Sequence, residues 1–426
     1  MSSPISRTKY DFEQYDLPPT PTTSTSAPLP NAQPNLPPLI EPNAPNPLAT
    51  RPRREAKRIS QAIDRQINRE RVRKDSENSL KMLILGAAES GKTTVLKQIR
   101  LLHGDGLADR SHFKHIIYLN ILNAIRSLAV AMLKNQLPLA NPENADHLHT
   151  ILNLEPTPEA TFMNGQFIAS STGFDDTPSI VTREEEYITS VFKYAAGSAK
   201  VLWLDDGIKD VWKLGLAGDL QDTAKHFLDS IDRIASDYYT PTDDDIIQAR
   251  VRTLGVSEHR FFIDKHTYII YDVGGHRSQR KYWAPYFDNC NAILFLAAIS
   301  SFDQTLSEDP SINRLTDSVD LFRSICNHPL LKKSAMILFL NKTDILQMKL
   351  DAGIRVGKFF PEYKGSNDFE SIANFFRRQF TSQKRDADKE IYVHLTHATD
   401  TQQMRMMVAA LNVIVAKTNL TDAGLL

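Results

Sequence analysis

The sequence has very few cysteines. Of its 426 residues only Cys290 and Cys326 carry a thiol, and each lies in or beside an apolar segment. This excludes the disulfide scaffold typical of small secreted proteins and argues against a cysteine-based metal site. The composition therefore indicates a reducing, intracellular environment.

The chain also lacks an excess of charge of either sign, because 50 Lys and Arg residues face 51 Asp and Glu residues. A net charge of −1 gives no field that would attract nucleic acid or an acidic substrate. We expect no apolar run to be long enough for a bilayer, and the first residues, MSSPISRTKY, lack the apolar core of a signal peptide. Position 2 is not glycine and no cysteine is nearby, so the common N-terminal lipidation motifs are missing. We expect a soluble or peripheral protein that does not bind nucleic acid.

The N-terminal region changes composition twice. Residues 1–50 hold 12 of the 23 prolines, which predicts a disordered tail, either merely solvated or a docking peptide. Residues 51–78 are predicted to be a basic amphipathic helix, since Ile59, Ile63 and Ile67 recur every four positions. Packing on the chain's own domain, or binding a partner or a membrane surface, would each explain that helix.

The rest of the chain alternates between helical and strand patterns. An apolar strand, a glycine loop and a helix start occupy 79–100, and further strand candidates alternate with helices after Pro241. This alternation predicts a doubly wound parallel sheet, an α/β fold built from 79–100 and 243–426. Residues 101–242 are predicted to be an inserted all-helical domain, and 140–182, rich in Pro, Thr, Asn and Ser, a long loop insertion.

A phosphate-binding motif follows the first strand. The run Gly86-Ala-Ala-Glu-Ser-Gly91-Lys92-Thr93 matches G-x-x-x-x-G-K-[ST] in a strand–loop–helix context. Its backbone N–H groups and the helix N-terminus attract phosphate oxygens. Lys92 is predicted to reach the β- and γ-phosphates, and the Thr93 hydroxyl to ligate Mg²⁺.

Two further motifs follow strand candidates. In YDVGGHRSQR (271–280), Asp272 is placed to hold a Mg²⁺-bound water, and Gly275 to bring its N–H close to a γ-phosphate. In the run 341–344, NKTD, the Asp344 carboxylate can accept from the ring N–H and the exocyclic amine of guanine, a pattern that adenine does not present. Asn341 would read the opposite edge and Lys342 would lie along the ring. Since ligands bind at the carboxyl ends of such strands, the three motifs together predict a guanine-nucleotide site.

With these motifs, the chain resembles the alpha subunits of heterotrimeric G proteins over about residues 55–426. The inserted helical block is the first mark of the resemblance, and DIIQARVRTLGV (245–256), similar to the family's first switch, is the second. Residues 307–328 resemble the third switch and the helix after it, and 394–401 the segment that contacts the base. The final helix resembles the receptor-contacting C-terminus, and residues 51–74 the helix that docks on the beta-gamma dimer. The resemblance implies a Ras-like P-loop domain with an inserted helical domain.

The resemblance also implies roles for individual residues. Arg250 would be a built-in arginine finger, His276 would occupy the catalytic position of the second switch, and Thr253 would join Thr93 as a Mg²⁺ ligand. Glu89 would pair with Arg250 in the GDP state, or else be a solvated loop residue. The implied GTP-binding residues are Gly86, Glu89, Ser90, Gly91, Lys92, Thr93, Thr94, Thr223, Ile247, Arg250, Thr253, Asp272, Gly275, Asn341, Lys342, Asp344 and Ala398.

Two departures from the family pattern concern turnover. His276 stands where the family has glutamine, whose amide can accept from water and donate to a γ-phosphate oxygen at once, whereas each nitrogen of a neutral imidazole does one of these. Ala88 replaces a glycine and adds a methyl group near the γ-phosphate position. We therefore expect slow GTP hydrolysis.

The resemblance implies Mg²⁺ as cofactor and GTP or GDP as ligand. Its implied partners are a beta-gamma dimer, a seven-helix receptor, an effector and an RGS-type regulator. Without lipidation motifs, attachment to the cytoplasmic face of the plasma membrane would depend on beta-gamma and the basic helix, leaving a cytosolic pool. One alternative is a nearly non-hydrolysing scaffold that binds beta-gamma, and an ATP-using P-loop enzyme is opposed by Asp344.

Overall fold

The computed structural model describes residues 79–104, 110–154, 161–163, 166–168, 178–217, 223–263, 266–306, 308–397 and 399. The predicted Pro-rich tail, the basic helix at 51–78, the C-terminal helix and Ala398 lie outside the described residues. The three nucleotide motifs, at 86–93, 271–280 and 341–344, lie within them.

Strands of two sheets are present. In chain order they are β1 (Ser79–Leu85), β2 (Thr161–Met163), β3 (Gln166–Ile168), β4 (Arg252–Leu254), β5 (Val256–Ile263), β6 (His266–Val273), β7 (Ala292–Ala298), β8 (Ala335–Asn341) and β9 (Ile391–Leu395). The larger sheet has the order β5-β6-β1-β7-β8-β9, and the smaller one the order β3-β2-β4.

The larger sheet is mixed rather than wholly parallel. Strand β7 pairs in parallel with β1 and β8, and β8 pairs in parallel with β9, as the sequence predicts. Strand β5 instead runs antiparallel to β6, with Val256 opposite Val273. The prediction of a parallel sheet is therefore wrong at this edge, because two residues between β5 and β6 allow only a hairpin return.

The centre of the sheet is buried on both faces. Every residue of β7 and of β8 is buried, which explains why AILFLAA and AMILFLN read as unbroken apolar runs rather than alternating ones. The parallel strands of this layer end at one edge, where β1 leads into the phosphate loop and β8 into the NKTD motif. The fold thus places both nucleotide motifs at the same edge of the sheet, with β7 between their strands.

Some helices cover the sheet, and those between the helices Lys92–His103 and Asp243–Gln248 form a block of their own. In chain order the helices are α1 (Lys92–His103), α2 (Arg110–Lys134), α3 (Ala145–Leu152), α4 (Pro178–Leu204), α5 (Asp206–Lys213), α6 (Ala224–Asp229), α7 (Ile231–Ile234), α8 (Asp243–Gln248), α9 (Arg277–Arg280), α10 (Arg314–Cys326), α11 (Thr343–Asp351) and α12 (Phe369–Thr381). Short 3₁₀ turns occupy Pro142–Asn144, Ala284–Tyr286, Ile299–Asp303, Pro329–Leu331 and Val356–Lys358.

The block between α1 and α8 has its own hydrophobic core. Helix α2 is its centre and packs against α3, α4, α5 and α6. This helix is long and apolar enough to cross a membrane, contrary to the sequence-based expectation, but 72% of its most apolar window is buried inside the fold. The apolar character of α2 is therefore that of a core helix, with Tyr118 stacked on Phe192 at a centroid separation of 3.9 Å.

The segment 140–182, predicted to be an insertion or long loop, contains regular elements. Helix α3 lies inside this segment and buries Leu148 and Ile151, and β2 and β3 form an antiparallel hairpin. The hairpin also means that the inserted block is not entirely helical. Turn-forming residues dominate the composition here, and these short elements exist because neighbouring parts of the fold pair with them.

Candidate functional site

The phosphate loop is shaped by its glycines. Gly86 has φ +146°, and a Cβ there would lie 2.3 Å from the carbonyl oxygen of Leu296 on β7, so only glycine fits against the strand. Gly91 has φ +101° and turns the chain into α1. The N-terminus of α1 consequently faces the loop, in the arrangement that binds phosphate groups.

Lys92 lies inside this loop. Its Nζ donates to the carbonyl oxygens of Gly86 at 3.1 Å and Ala87 at 2.8 Å. Burial lowers the pKa of Lys92 to about 8, with Asp272 opposing the shift. A phosphate anion in the loop would favour the protonated lysine, so the site gains electrostatic energy by binding one.

Three oxygen-bearing side chains converge next to the loop. The hydroxyls of Thr93 and Thr253 lie 2.8 Å apart, and the Asp272 carboxylate accepts from Thr93 at 3.0 Å and from Thr253 at 3.4 Å. Adjacent ligands of an octahedral Mg²⁺, at about 2.1 Å from the ion, are separated by about 3 Å. Asp272 Oδ1 is buried with no hydrogen-bond partner among the described residues, and burial raises the Asp272 pKa. The donor set therefore fits a hard divalent cation.

Glu89 joins the phosphate loop to two arginines. Its carboxylate pairs with Arg250 and accepts from Arg314 at 3.0 Å. Burial acts to raise the Glu89 pKa, but Arg250, Arg314 and Lys342 together lower it to about 2. Glu89 is thus ionised at neutral pH, and of the two interpretations left open the pairing with Arg250 is the one present.

The segment YDVGGHRSQR (271–280), which we call the second switch, meets the phosphate loop at Gly275. A Cβ at this position would lie 2.4 Å from Lys92 Nζ and 2.6 Å from the carbonyl oxygen of Ala87, so a side chain cannot be accommodated. His276 follows as the N-cap residue of α9, and its Nδ1 lies 2.9 Å from Glu308 Oε1. Position 276 is therefore brought to the cleft beside the loop.

Behind this contact the second switch is anchored on α10. Arg280 pairs with Asp317 at 2.5 Å, and both side chains are almost fully buried. Arg277 reaches the same carboxylate at 2.9 Å, and Trp283 Nε1 donates to the carbonyl oxygen of Gly274 at 3.0 Å. Because a buried ion pair that loses one partner is costly, this anchor restricts where the switch can lie.

The NKTD motif forms the other end of the cleft. Asn341 Nδ2 donates to the carbonyl oxygen of Ser90 at 2.8 Å, and its Oδ1 accepts from Thr396 at 3.1 Å. Asn341 therefore ties the phosphate loop to the segment after β9. Lys342 adopts a left-handed conformation with φ +62°, and Asp344 follows in the first turn of α11 with its carboxylate exposed to the cleft.

One cleft of about 1870 Å³ connects these parts. Most of the predicted nucleotide-binding residues line it, namely Glu89, Ser90, Gly91, Lys92, Thr93, Thr94, Thr223, Arg250, Thr253, Gly275, Asn341, Lys342 and Asp344, together with His276. Within the described part of the chain, Gly86, Ile247 and Asp272 do not line it, and Ile247 is buried with 4% of its surface exposed. The buried hydroxyls of Ser90 and Thr223 have no hydrogen-bond partner among the described residues.

Three residues of this site were missed from the sequence, namely Arg314, Glu308 and Asp317. Arg314 donates from its Nη2 to the carbonyl oxygen of Ala88 at 3.0 Å, in addition to its pair with Glu89. The one local signal was the run NRLTD, in which Asn313 caps α10 and accepts from the N–H groups of the first turn. That cap fixes the start of the helix and so aims Arg314 and Asp317, but it does not reveal their partners.

Comparison with known proteins agrees with this geometry. The model of the G-protein alpha subunit family matches residues 57–415. A guanine nucleotide-binding protein subunit alpha of Emericella nidulans is 38% identical over 375 residues, which cover 88% of this chain and 98% of the relative. The G-protein complex alpha subunit of Aspergillus fumigatus has the same identity and coverage, and the guanine nucleotide-binding protein alpha-1 subunit of Mycosarcoma maydis is 37% identical with the same coverage.

Proposed function

The chain belongs to the family of G-protein alpha subunits, and from this premise we propose that it is a Mg²⁺-dependent switch with unusually slow GTP hydrolysis. It is a guanine nucleotide-binding alpha subunit of a heterotrimeric G protein, and members of its family are GTPases. The metal ion, the slow rate, the residue roles and the particular partners are our proposals.

The observation that carries the slow rate is the contact of Gly275 with the phosphate loop. Gly275 lies so close to Ala87 that no side chain fits between them, and the next residue, His276, lines the cleft. This is the part of the cleft in which a γ-phosphate and its attacking water would lie. A neutral imidazole offers one acceptor and one donor on opposite sides of the ring, whereas a glutamine amide presents both from one end. His276 therefore cannot hold the water and a phosphate oxygen together, and Ala88, which also lines the cleft, adds a methyl group that a glycine would lack.

The remaining residues take roles that their positions support. Thr93 and Thr253 would hold Mg²⁺ directly, and Asp272 would accept from a water on the ion. When bound, the ion supplies positive charge to the phosphate oxygens. Arg250, held beside the loop by Glu89, would stabilise charge that develops on the transferred phosphoryl group. Asp344 would select guanine over adenine.

Single-turnover phosphate release from GTP tests the proposed rate. We expect His276→Gln and Ala88→Gly each to speed release, by roughly 10-fold for the first if one lost transition-state hydrogen bond of about 1.4 kcal/mol is restored. The double variant should be faster than either. Nucleotide affinity, measured in parallel, should change little. Slower release by His276→Gln would overturn the proposal, and no detectable release from any variant would favour the scaffold alternative.

We also propose the family's partners and a peripheral location. A beta-gamma dimer, a seven-helix receptor, an effector and an RGS-type regulator would bind this subunit at the cytoplasmic face of the plasma membrane, with part of the protein in the cytosol. The basic composition of residues 51–74 supports a contribution of roughly 1 kcal/mol per Lys or Arg at an anionic surface. Membrane fractionation should recover the protein mainly when beta-gamma is co-expressed, and firm attachment without it would contradict this.

A further inference from the structure

Glu308 and His276 form a hydrogen-bonded pair at the edge of the cleft. His276 Nδ1 and Glu308 Oε1 lie 2.9 Å apart, and both residues line the cleft. His276 is the N-cap residue of α9, whereas Glu308 belongs to the loop before α10. Their side chains are 20% and 32% exposed, so water screens the pair only partly.

The charge of Glu308 is fixed by its surroundings. Burial acts to raise the Glu308 pKa, but its own backbone N–H, His276 and the backbone N–H of Arg277 outweigh burial and lower it. Glu308 is therefore a carboxylate at neutral pH and can only accept hydrogen bonds. A neutral imidazole whose Nδ1 faces a carboxylate must carry its proton on Nδ1. Nε2, on the far side of the ring, is then an acceptor.

The other charged groups around the switch are engaged elsewhere. Arg277 and Arg280 pair with Asp317, and Lys92 donates to the phosphate loop. Arg250 and Arg314 both pair with Glu89. Among the described residues, Glu308 is the carboxylate that lies against the imidazole of His276, at 2.9 Å.

We propose that Glu308 is a positioning residue for GTP hydrolysis, which holds His276 in the tautomer whose Nε2 accepts a hydrogen bond from the attacking water. This rests on the proposed place of His276 beside the γ-phosphate. The pair would explain how a histidine keeps one half of a glutamine's task, orienting the water, while losing the other half, donation to the phosphate. It predicts that hydrolysis is slow but not abolished.

The tautomer can be observed directly by ¹⁵N NMR of the full chain with labelled histidine, loaded with GDP at about pH 8, where an ordinary imidazole is neutral. His276→Gln identifies the resonances, because only those of residue 276 disappear. We expect an unprotonated Nε2 in the wild type, a mixture of tautomers in Glu308→Gln, and mainly protonated Nε2 in Glu308→Ala. The neighbouring change Asp309→Asn is the control and should leave the resonances in place. A protonated Nε2 in the wild type, or a tautomer indifferent to Glu308, would overturn the proposal.

A double-mutant cycle on single-turnover hydrolysis tests the functional link. Glu308→Gln should slow phosphate release about 3- to 10-fold when residue 276 is histidine, and less than about 2-fold in the His276→Gln background, where no tautomer remains to be set. Equal slowing in both backgrounds would mean that Glu308 acts through the loop alone. The two proposals fail separately. If His276→Gln is not faster but Glu308 still sets the tautomer, the slow rate is wrong and the pair stands.

Discussion

Gly275 is a residue of the second switch at which no side chain fits. Of the atoms that a Cβ there would meet, Lys92 Nζ at 2.4 Å can move away, but the Ala87 carbonyl oxygen at 2.6 Å and its carbon at 2.7 Å belong to the backbone of the phosphate loop. We expect Gly275→Ala to push the switch away from the loop. Overpacking of this kind costs about 1–3 kcal/mol, so affinity for a non-hydrolysable GTP analogue should fall about tenfold.

Trp283 offers a fluorescent readout of this change, because it is buried and donates to the carbonyl oxygen of Gly274 beside the substituted residue. The fluorescence change on binding the GTP analogue with Mg²⁺ should be lost in Gly275→Ala, whereas GDP binding should persist. Gly197→Ala is the matched control, since a Cβ there meets no atom within 4 Å. An unchanged GTP response in Gly275→Ala would show that the loop yields to the methyl group.

At the residue scale, the motifs indicate which residues lie in one cleft where spacing along the chain decides their position. Lys92 and Thr93 begin the helix after the loop that follows β1, Asn341 ends β8 and Asp344 comes three residues later, and all four line one cleft. Arg314 could not be found in this way, because its partner Glu89 lies 225 positions earlier and no local pattern connects them. The sequence singled out His276 but did not reveal its hydrogen-bond partner. The carboxylate that sets its tautomer, Glu308, belongs to another loop.

At the scale of elements, the burial of each strand determined what could be predicted. Strands β7 and β8 are buried along their whole length and appear in the sequence as continuous apolar runs. Strand β5 has a mixed burial pattern, and its residues give no indication of which direction the chain takes beside β6. The orientation of β5 follows from the length of the turn, which a pattern of apolar residues does not contain.

Two helices also show that burial by distant parts of the chain limits what the sequence can predict. Helix α2 is apolar on nearly every face because α3, α4, α5 and α6 surround it, so its composition resembles that of a membrane helix. Helix α3 is only eight residues long and lies among turn-forming residues, yet Leu148 and Ile151 bury it against the same core. Both cases depend on neighbours that are distant in sequence, so the sequence did not show how apolar α2 is along its length, and it did not reveal α3.

At the scale of the whole molecule, a strand pairing that no motif predicted links the helical block to the α/β domain. Strand β2, from the insertion in the helical block, pairs in parallel with β4, and Phe162 is in register with Thr253. Strand β4 carries a proposed Mg²⁺ ligand and lies just after Arg250. The hairpin thus ties the helical block to the first switch. Since residues of both parts line the cleft, we expect a bound nucleotide to leave more easily when this pairing opens.

Weakening the β2–β4 pairing should therefore speed nucleotide exchange. Proline has no backbone N–H, so Phe162→Pro at the middle of the three-residue β2 removes one possible ladder donor and disfavours strand pairing. At about 0.5–1.5 kcal/mol for each lost bond, release of a fluorescent GDP analogue should become about 2- to 10-fold faster. Phe162→Val, which keeps the N–H and a high strand propensity, should release GDP at the wild-type rate. If both variants match the wild type, the hairpin does not restrain the cleft. If both are equally fast, the loss of the backbone N–H is not the cause.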